Sequence, residues 1–572
     1  MTLVFTVSRF AFRRIFGLCS LLLLLFFLVC CVSANEVHGK KGVVSTRSEL
    51  ASQAGVDAMQ KGGNAIDAIV ASAFALAVTY PSAGNLGGGG FIVFRQHDGS
   101  TWALDFREIA PAASTRDMFL DEDGNYDPDI ALRSRMASGV PGSVAGLLLA
   151  QERFGKLSRQ EVLAEAIRLA EEGFELPEDI ARQIAGRKEV WLRSDGSRNK
   201  FLDEEGEVLE AGSLFVQEDL AATLQRISKE GRDGFYQGRT AELIVAEMAR
   251  GNGLISLEDL KDYAPKWREP IIGTYREHDV ISMPPPSSGG IILIQMLNLL
   301  EPFDLKASGF GTSSTLHLMA EVERRAYSDR AEYLGDTDFF PVPIETLTSK
   351  KYSLSRFEDF NEDGATLSKN VAAGQIPLES EETTHLSAID SEGNAVALTT
   401  TLNSGYGNGY VVQGAGFLLN NEMDDFSAKP GVPNQFGLVG GEANAIEPKK
   451  RMLSSMTPTI FVHTDGRILV TGSPGGSTII TTVLQIIVNL VDHEMSLADA
   501  VGSPRFHHQW LPDQITVERD KFDEETLDEL TKLGHKIATR ASIGDANSAL
   551  ATESNVIGVS DPRNKGAAVG LD

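Results

Sequence analysis

The residues best suited to chemistry fall in a few short stretches. Thr383-Thr384-His385-Leu386-Ser387 offers three hydroxyls and an imidazole in five positions. A threonine hydroxyl attacks at neutral pH only beside a base. His385 shares a face with Thr383 if the stretch is a strand, which aligns the two without placing them in contact, and a packed histidine is the plainer reading. Local sequence alone equally allows a polar loop entering a strand. His507 and His508, with Asp513 nearby, lack metal-site spacing and have no cysteine beside them, so packing is expected there and no metal. Gly87-Gly88-Gly89-Gly90 lacks the Gly-Lys-Ser/Thr ending of a phosphate loop and reads as a tight backbone crossing. No nucleotide signature is present and no cofactor is expected. Glu422 and Asp425 would share one face of a helical turn, although alone they read as solvated acids.

At 42% hydrophobic and 23% charged residues, the 572-residue chain has a globular balance that excludes a mostly disordered or multi-span membrane protein. Residues 1–34 stand apart: Arg9, Arg13 and Arg14 precede an apolar run from 15 to 32, closed by Val32-Ser33-Ala34. This describes an export signal, so the remainder is expected outside the cytoplasmic membrane, periplasmic or secreted, with an uncleaved signal anchor as the alternative. Lipid attachment at Cys30 or Cys31 is disfavoured because Val29 and Cys30, rather than a small residue, precede them. Cys19, Cys30 and Cys31 all lie in this segment, which leaves a cleaved protein without a disulfide or a thiolate catalyst. Removing the three signal arginines takes the formal charge from −27 to −30, a field that opposes nucleic acid and anionic membranes.

Periodicity supplies the elements that must position these residues. Small and apolar residues recur at helical spacing over 48–61, 65–78, 160–173, 217–229, 240–250, 291–300, 478–491 and 524–533. Strand patterns fall at 91–94, 102–106, 385–390, 395–401, 459–462 and 467–471, with turns at Asp98-Gly99, Ser391-Glu392-Gly393-Asn394 and 463–466. The region 143–320 reads as mainly helical, and 361–382 as a long exposed linker that asks for a functional reason. Sheet layers covered by helices are the simplest way to pack this α+β mixture.

Several motifs recur in one order: Thr383-Thr384-His385, Thr401-Leu402-Asn403, Asn421-Glu422-Met423-Asp424-Asp425, Pro430-Gly431-Val432-Pro433-Asn434, the stretch 451–456 and Gly472-Ser473-Pro474-Gly475-Gly476. In this respect the chain resembles the small subunit of the γ-glutamyltranspeptidase family of N-terminal-nucleophile hydrolases. The stretches 84–91, 104–111, 139–142 and 284–290 resemble the large subunit, so the likeness spans nearly the whole chain after the signal segment.

The resemblance implies a four-layer αββα sandwich built jointly by two fragments, residues 35–382 and 383–572, cut from one precursor between Glu382 and Thr383 and remaining paired. Cleavage would turn an amide into an α-amine with a reference pKa near 8, able to take the Thr383 hydroxyl proton. Thr401 would assist the cut, and the N–H groups of Gly475 and Gly476 would face the oxyanion. The implied donors are glutathione and other γ-glutamyl amides, and the acceptors are water, amino acids or short peptides. Arg107, Ser454 and Ser455 would hold the donor α-carboxylate, for which the planar guanidinium fork is suited. Asn403, Glu422 and Asp425 would hold the α-ammonium. In so acidic a chain Arg107 is expected to be the single local cation. Residues 430–441 resemble a lid in which Phe436 replaces a hydroxylated aromatic, giving apolar cover without a hydrogen bond to Asn403. The alternatives are a glutaryl or cephalosporin acylase, whose substrate has no α-ammonium, and an exported binding protein without chemistry.

Overall fold

The hairpin that begins at Thr383 lies inside the computed structural model, which describes residues 35–371, 383–429 and 441–572. Its strands Thr383–Asp390 and Ala395–Thr401 pair antiparallel, with Thr383 opposite Thr401. They are third and fourth in a seven-stranded sheet running Ala567–Leu571, Gly42–Thr46, Thr383–Asp390, Ala395–Thr401, Gly89–Arg95, Thr101–Asp105 and Lys266–Arg268. A second sheet runs Asn35–Gly39, Val556–Ser560, Asn547–Ala551, Ile468–Thr471, Thr459–Val462, His278–Ser282 and Ile271–Tyr275.

Pleat alternation explains the all-buried hairpin. Leu386, Ala388, Val396 and Leu398 face helices on one side, whereas Ile389, Ala395 and Ala397 face the second sheet. Thr383, His385 and Ser387 share the latter parity, and Ser387 Oγ accordingly donates across to Asn547 O at 2.8 Å. An apolar layer including Phe91, Val93, Ile281, Ile460 and Val470 fills the space between the sheets. Outside the first sheet, helices such as Glu49–Gln60, Ala65–Thr79, Ser143–Phe154 and Arg159–Glu172 close one core; outside the second, Gly289–Leu300, Ser313–Tyr333 and Thr478–Val491 close another. This is the expected four-layer αββα sandwich. Ala65–Thr79 shows the logic locally: Asn64 and Asp67 form a capping box, and all its residues are buried because it has no polar stripe to offer water. Each of its fully buried Ile, Val, Leu or Phe side chains contributes about 1.5–3 kcal/mol.

Two expectations gain detail. The region 143–320 is mainly helical as expected, and it also carries Lys266–Arg268, Ile271–Tyr275 and His278–Ser282, which complete one edge of each sheet; these strands are short, and Ile272 is 58% exposed, so their alternation is weak. The stretch 361–371 is largely exposed as expected, but it is anchored at two points: Ser368 is buried, Trp510 Nε1 donates to Ser368 O at 2.9 Å, and Val371 joins a core. Residues 1–34, 372–382 with Glu382, and 430–440 with Phe436 lie outside the described residues. Among the described residues no helix is long and apolar enough to cross a membrane.

Candidate active site

Thr383 opens its strand with only 8% of its surface exposed. Its hydroxyl lies 3.4 Å from that of Thr401, directly across the ladder. Thr401 Oγ1 also accepts from Asn403 N at 2.8 Å, closing a turn that holds Asn403 at a left-handed φ of 73°. His385 is not a base for Thr383. Its ring bonds Thr399 Oγ1 at 2.9 Å and Ser387 Oγ at 3.1 Å, and burial pushes its pKa down to about 3. A Cβ on Gly472 would stand 2.4 Å from this ring, so glycine there makes room for the histidine.

The four glycines make the backbone crossing expected of them. Cβ atoms on Gly88 and Gly90 would meet Thr401 O at 2.0 Å and Thr399 O at 2.3 Å, so only glycines let this chain lie against the hairpin. Gly475 and Gly476, at φ 126° and 54°, form the turn between Ile468–Thr471 and Thr478–Val491. Both conformations favour glycine, and a Cβ on Gly475 would meet Thr478 Oγ1 at 2.3 Å. Among the described residues neither glycine N–H has a backbone acceptor.

Arg107 follows the strand Thr101–Asp105. Its N–H donates to Asp105 Oδ1 at 3.0 Å, and its carbonyl accepts from the Tyr263 hydroxyl at 2.9 Å. The guanidinium, fully buried, donates to Glu422 and Asp425 and, at 3.3 Å, to Met452 O and Leu453 O. Glu422–Asp425 is a 3-10 turn, whose three-residue repeat puts both acids on one side. The predicted cationic and anionic halves of the pocket are therefore brought together and pair with each other. Burial opposes the charge on Arg107, but Glu422 and Asp425 hold its pKa above the ordinary value. Burial pushes both acids up, offset in part by Arg107.

Ser454 and Ser455 lie just beyond the carbonyls that Arg107 touches, with their hydroxyls bonded elsewhere. Ser454 Oγ accepts from Met456 N at 3.1 Å and Ser455 Oγ from Arg330 Nη2 at 2.8 Å. Arg330 corrects the expectation of one local cation, since it is 3% exposed and its charge is felt by Asp425. Asn403 Nδ2 is directed to Asn421 O at 2.9 Å.

A family profile described as gamma-glutamyltranspeptidase matches residues 51–571. The chain belongs to this family. It is 49% identical over 532 residues to a glutathione hydrolase proenzyme of Escherichia coli, covering 93% of this chain and 92% of that one. The crystal structure of the Helicobacter pylori gamma-glutamyltranspeptidase superposes with a TM-score of 0.56 at 44% identity, covering 57% of this chain and 93% of that one. A cephalosporin acylase from Bacillus halodurans gives 0.83 at 26% identity, covering 94% and 97%. The chain is thus a γ-glutamyltranspeptidase-family, N-terminal-nucleophile enzyme.

Within this family member, three side chains escaped the sequence reading. Glu108 is fully buried beside Arg107, 3.7 Å away, and among the described residues neither of its oxygens finds a donor. Burial pushes its pKa up to about 7, and it can bond Glu422 only if one of the two carboxyls carries a proton. Asn85 donates to Thr401 O at 3.0 Å and accepts from Gly88 N at 3.0 Å, tying the glycine crossing to the hairpin end. The third is Arg330. Adjacency to Arg107 and to the glycines could have flagged the first two; nothing local distinguishes Arg330 from other charges in its helix.

His507 bonds Thr481 Oγ1 at 2.9 Å and Gln509 Oε1 at 2.9 Å, and His508 Nδ1 accepts from Trp510 N at 3.0 Å, so both are packed. His317, Glu321 and His535 bring ligand-type atoms within 4.8 Å of one another. Their lone pairs serve hydrogen bonds instead: His317 meets His535 at 2.7 Å and Asn361 O at 2.9 Å, while Glu321 accepts from Arg324, Arg325 and Thr366 N.

Proposed function

We propose that the chain is cut between Glu382 and Thr383, and that Thr383 then transfers the γ-glutamyl group of glutathione or related amides to water, amino acids or short peptides. The observation that carries the reading is the pair of hydroxyls at 3.4 Å, Thr383 and Thr401, at the start of a buried strand. In the precursor the Thr383 hydroxyl attacks the Glu382 carbonyl, the C–N bond breaks, and water opens the resulting ester. Thr401, across the ladder, orients the attacking oxygen. The freed α-amine becomes the base that the site otherwise lacks, since His385 is turned away.

In turnover that amine takes the Thr383 hydroxyl proton as Oγ1 attacks the donor γ-carbonyl. The tetrahedral oxyanion forms against the N–H groups of Gly475 and Gly476. The proton passes to the departing amine, and water or an acceptor amine then attacks the ester by the same route. Donor binding exchanges ion pairs. The α-carboxylate takes Arg107 with help from Ser454 and Ser455, and the α-ammonium takes Glu422, Asp425 and Asn403, so neither half of the internal pair is left without a counter-charge. We further propose export to the periplasm or the exterior, with anchoring through residues 1–34 as the alternative.

A denaturing gel tests the cut. With 61.8 kDa spread over 572 residues, 35–382 and 383–572 should run at about 38 and 20 kDa, the smaller beginning Thr-Thr-His-Leu-Ser; one uncut chain would overturn the reading. The likeness to a cephalosporin acylase favours a second reading, against which stand Glu422 and Asp425, since a glutaryl group brings no ammonium to meet them. Faster turnover of a glutaryl anilide than of a γ-glutamyl anilide would decide for the acylase.

A further inference from the structure

Lys200, in the helix Asp195–Phe201, reaches a cavity of about 320 Å³ that is also lined by Val216, Glu218, Asp219, Leu220 and Val411. Its amine donates to Gln217 Oε1 and, at 2.8 Å, to Gly416 O. Both acceptors are uncharged and held in place. Gln217 Nε2 donates to Val78 O at 2.9 Å, which turns its oxygen to the lysine, and Gly416 lies so close to Leu220 that a Cβ would stand 2.4 Å from Leu220 N. Among the described residues no carboxylate lies within ion-pair distance of Lys200, although the charge of Asp219 is felt there.

Apolar neighbours crowd the amine on its inner side. The buried Phe201 and Phe215 rings each stand 5.8 Å from Nζ, the outer limit of a cation–π contact. Behind it a void of about 10 Å³, walled by Leu86, Leu402, Phe417 and Leu418 among others, has room for about one water at most. With little hydration and no counter-charge in contact, the uncharged form gains, and burial pushes the Lys200 pKa down to about 7. A neutral amine has two N–H groups, and Gln217 and Gly416 take both. The third position on the nitrogen, now a lone pair, is left for the cavity.

We propose that Lys200 is a covalent capture site for small neutral aldehydes. The Nζ lone pair attacks the carbonyl carbon, a C–N bond forms, and the carbonyl oxygen takes one proton from the nitrogen. The remaining N–H proton and the new hydroxyl then leave as water, and an imine, R–N=CH–R′, remains. One amine and one aldehyde give one imine and one water, so no oxidant or reductant enters. Glu218 and Asp219 decide among electrophiles. Protonated, the imine is a cation that these carboxylates favour, and it keeps one N–H for Gln217 or Gly416. Carbon dioxide would instead leave an anionic carbamate, and an aldehyde bearing a carboxylate would bring its own negative charge to them. Val216, Leu220 and Val411 offer an apolar wall to a short alkyl chain. Thr383 takes no part, so the inference stands apart from the γ-glutamyl reading.

The test treats the whole wild-type protein with butanal and cyanoborohydride, which fixes imines as secondary amines, and reads each lysine by peptide mass spectrometry. Near pH 7 Lys200 should be alkylated at least about tenfold faster than the mean of the other lysines. That is the part of a more than about thousandfold excess of neutral amine that survives the weaker nucleophilicity of a less basic nitrogen. Its rate should level off above about pH 8, while the others keep rising towards about pH 10. Glyoxylate, an anionic aldehyde, should label Lys200 less than butanal does by about fivefold or more, each rate taken relative to the other lysines, as one like-charge contact near water costs. Alkylation of Lys200 at the mean rate, or a rate that rises with pH as the others do, would overturn the reactive amine. Equal or faster relative labelling by glyoxylate, or a carbamate resonance at Lys200 in labelled bicarbonate, would overturn the neutral aldehyde as its ligand.

Discussion

Arg107 and the Arg324–Arg325 pair are equally removed from water, none of them more than 1% exposed, yet their surroundings differ. Around the pair the hydrogen bonds close. Glu321 Oε1 accepts from Thr366 N at 3.0 Å and Arg324 at 3.2 Å, its Oε2 accepts from Arg325 at 2.6 Å, and Asp513 accepts from Arg324 and, at 2.8 Å, from Ser368 N. Although burial works against the charge, these partners, together with His508 beside Asp513, hold Glu321 and Asp513 below the usual carboxylate values. Around Arg107 the bonds stay open: both oxygens of Glu108 and one of Glu422 lack a donor among the described residues, and burial pushes all three acids upward. A closed cluster is a joint, here fastening 359–371 to the body. An open one has acceptors for a ligand to fill, and an ammonium brings three donors.

The largest effect lies at the nucleophile that the open cluster is proposed to serve. Thr383→Ala should remain one uncut chain and lose turnover by more than about a thousandfold, read by gel and by glutamate release; fragments from this variant would remove Thr383 from the mechanism. Next, Arg107→Ala and Arg324→Ala should each destabilise by about 3–5 kcal/mol in urea titration, because each strands buried acids. Only Arg107→Ala should also lower donor kcat/KM while leaving the cut intact. An equal fall for Arg324→Ala in folded protein would erase the contrast.

The pH dependences have opposite signs. Glu108 titrates near 4.5 unfolded and about 7 folded, so between those values the unfolded chain holds fewer protons and stability falls as pH rises. Glu108→Gln should reduce that slope in pH-resolved melts, the remainder belonging to Glu422 and Asp425, which burial also pushes up. Asp513 is shifted the other way; its contribution is present above the usual 3.8 and is lost as pH falls from there through its lower folded value. Asp513→Asn should therefore abolish an acid-side loss and leave the neutral-side slope alone. Identical profiles for the two variants would mean that the clusters do not differ. The smallest effect belongs to Asp359, whose side chain is 65% exposed against Arg325: Asp359→Ala should shift stability by less than about 1 kcal/mol.

How far the sequence could be read followed from whether a residue's partners are local. The helix Thr478–Val491 and the strand Ala395–Thr401 show their bounds because local signals define them, an apolar run for the helix and, for the strand, β-type residues following the turn Ser391-Glu392-Gly393-Asn394. The Glu422–Asp425 turn was legible from its spacing, and its likeness to a known motif supplied a role that spacing could not. Arg330 was not legible. Glu321, Glu323, Arg324, Arg325, Asp329 and Arg330 are all buried in one helix, although such a run of charges reads as a solvated face. What buries them is chain far away in sequence, such as Ser455 and Asp513. The same remoteness hid the anchoring of Ser368 within the largely exposed stretch 361–371, where Trp510 and Asp513 supply its partners.

Both sheets are built from segments on either side of residue 383. Gly42–Thr46 lies between Ala567–Leu571 and Thr383–Asp390, and His278–Ser282 pairs with Thr459–Val462. After the proposed cut before Thr383, neither piece could leave without opening a ladder in both sheets, so the halves would stay together with no covalent link. Unfolding would then become a different event. An uncut Thr383→Ala chain should refold as one molecule at a rate independent of concentration, whereas the cut protein would have to bring two incomplete sheets together by collision. Such a cut would leave the survival of the fold set by how slowly it first opens.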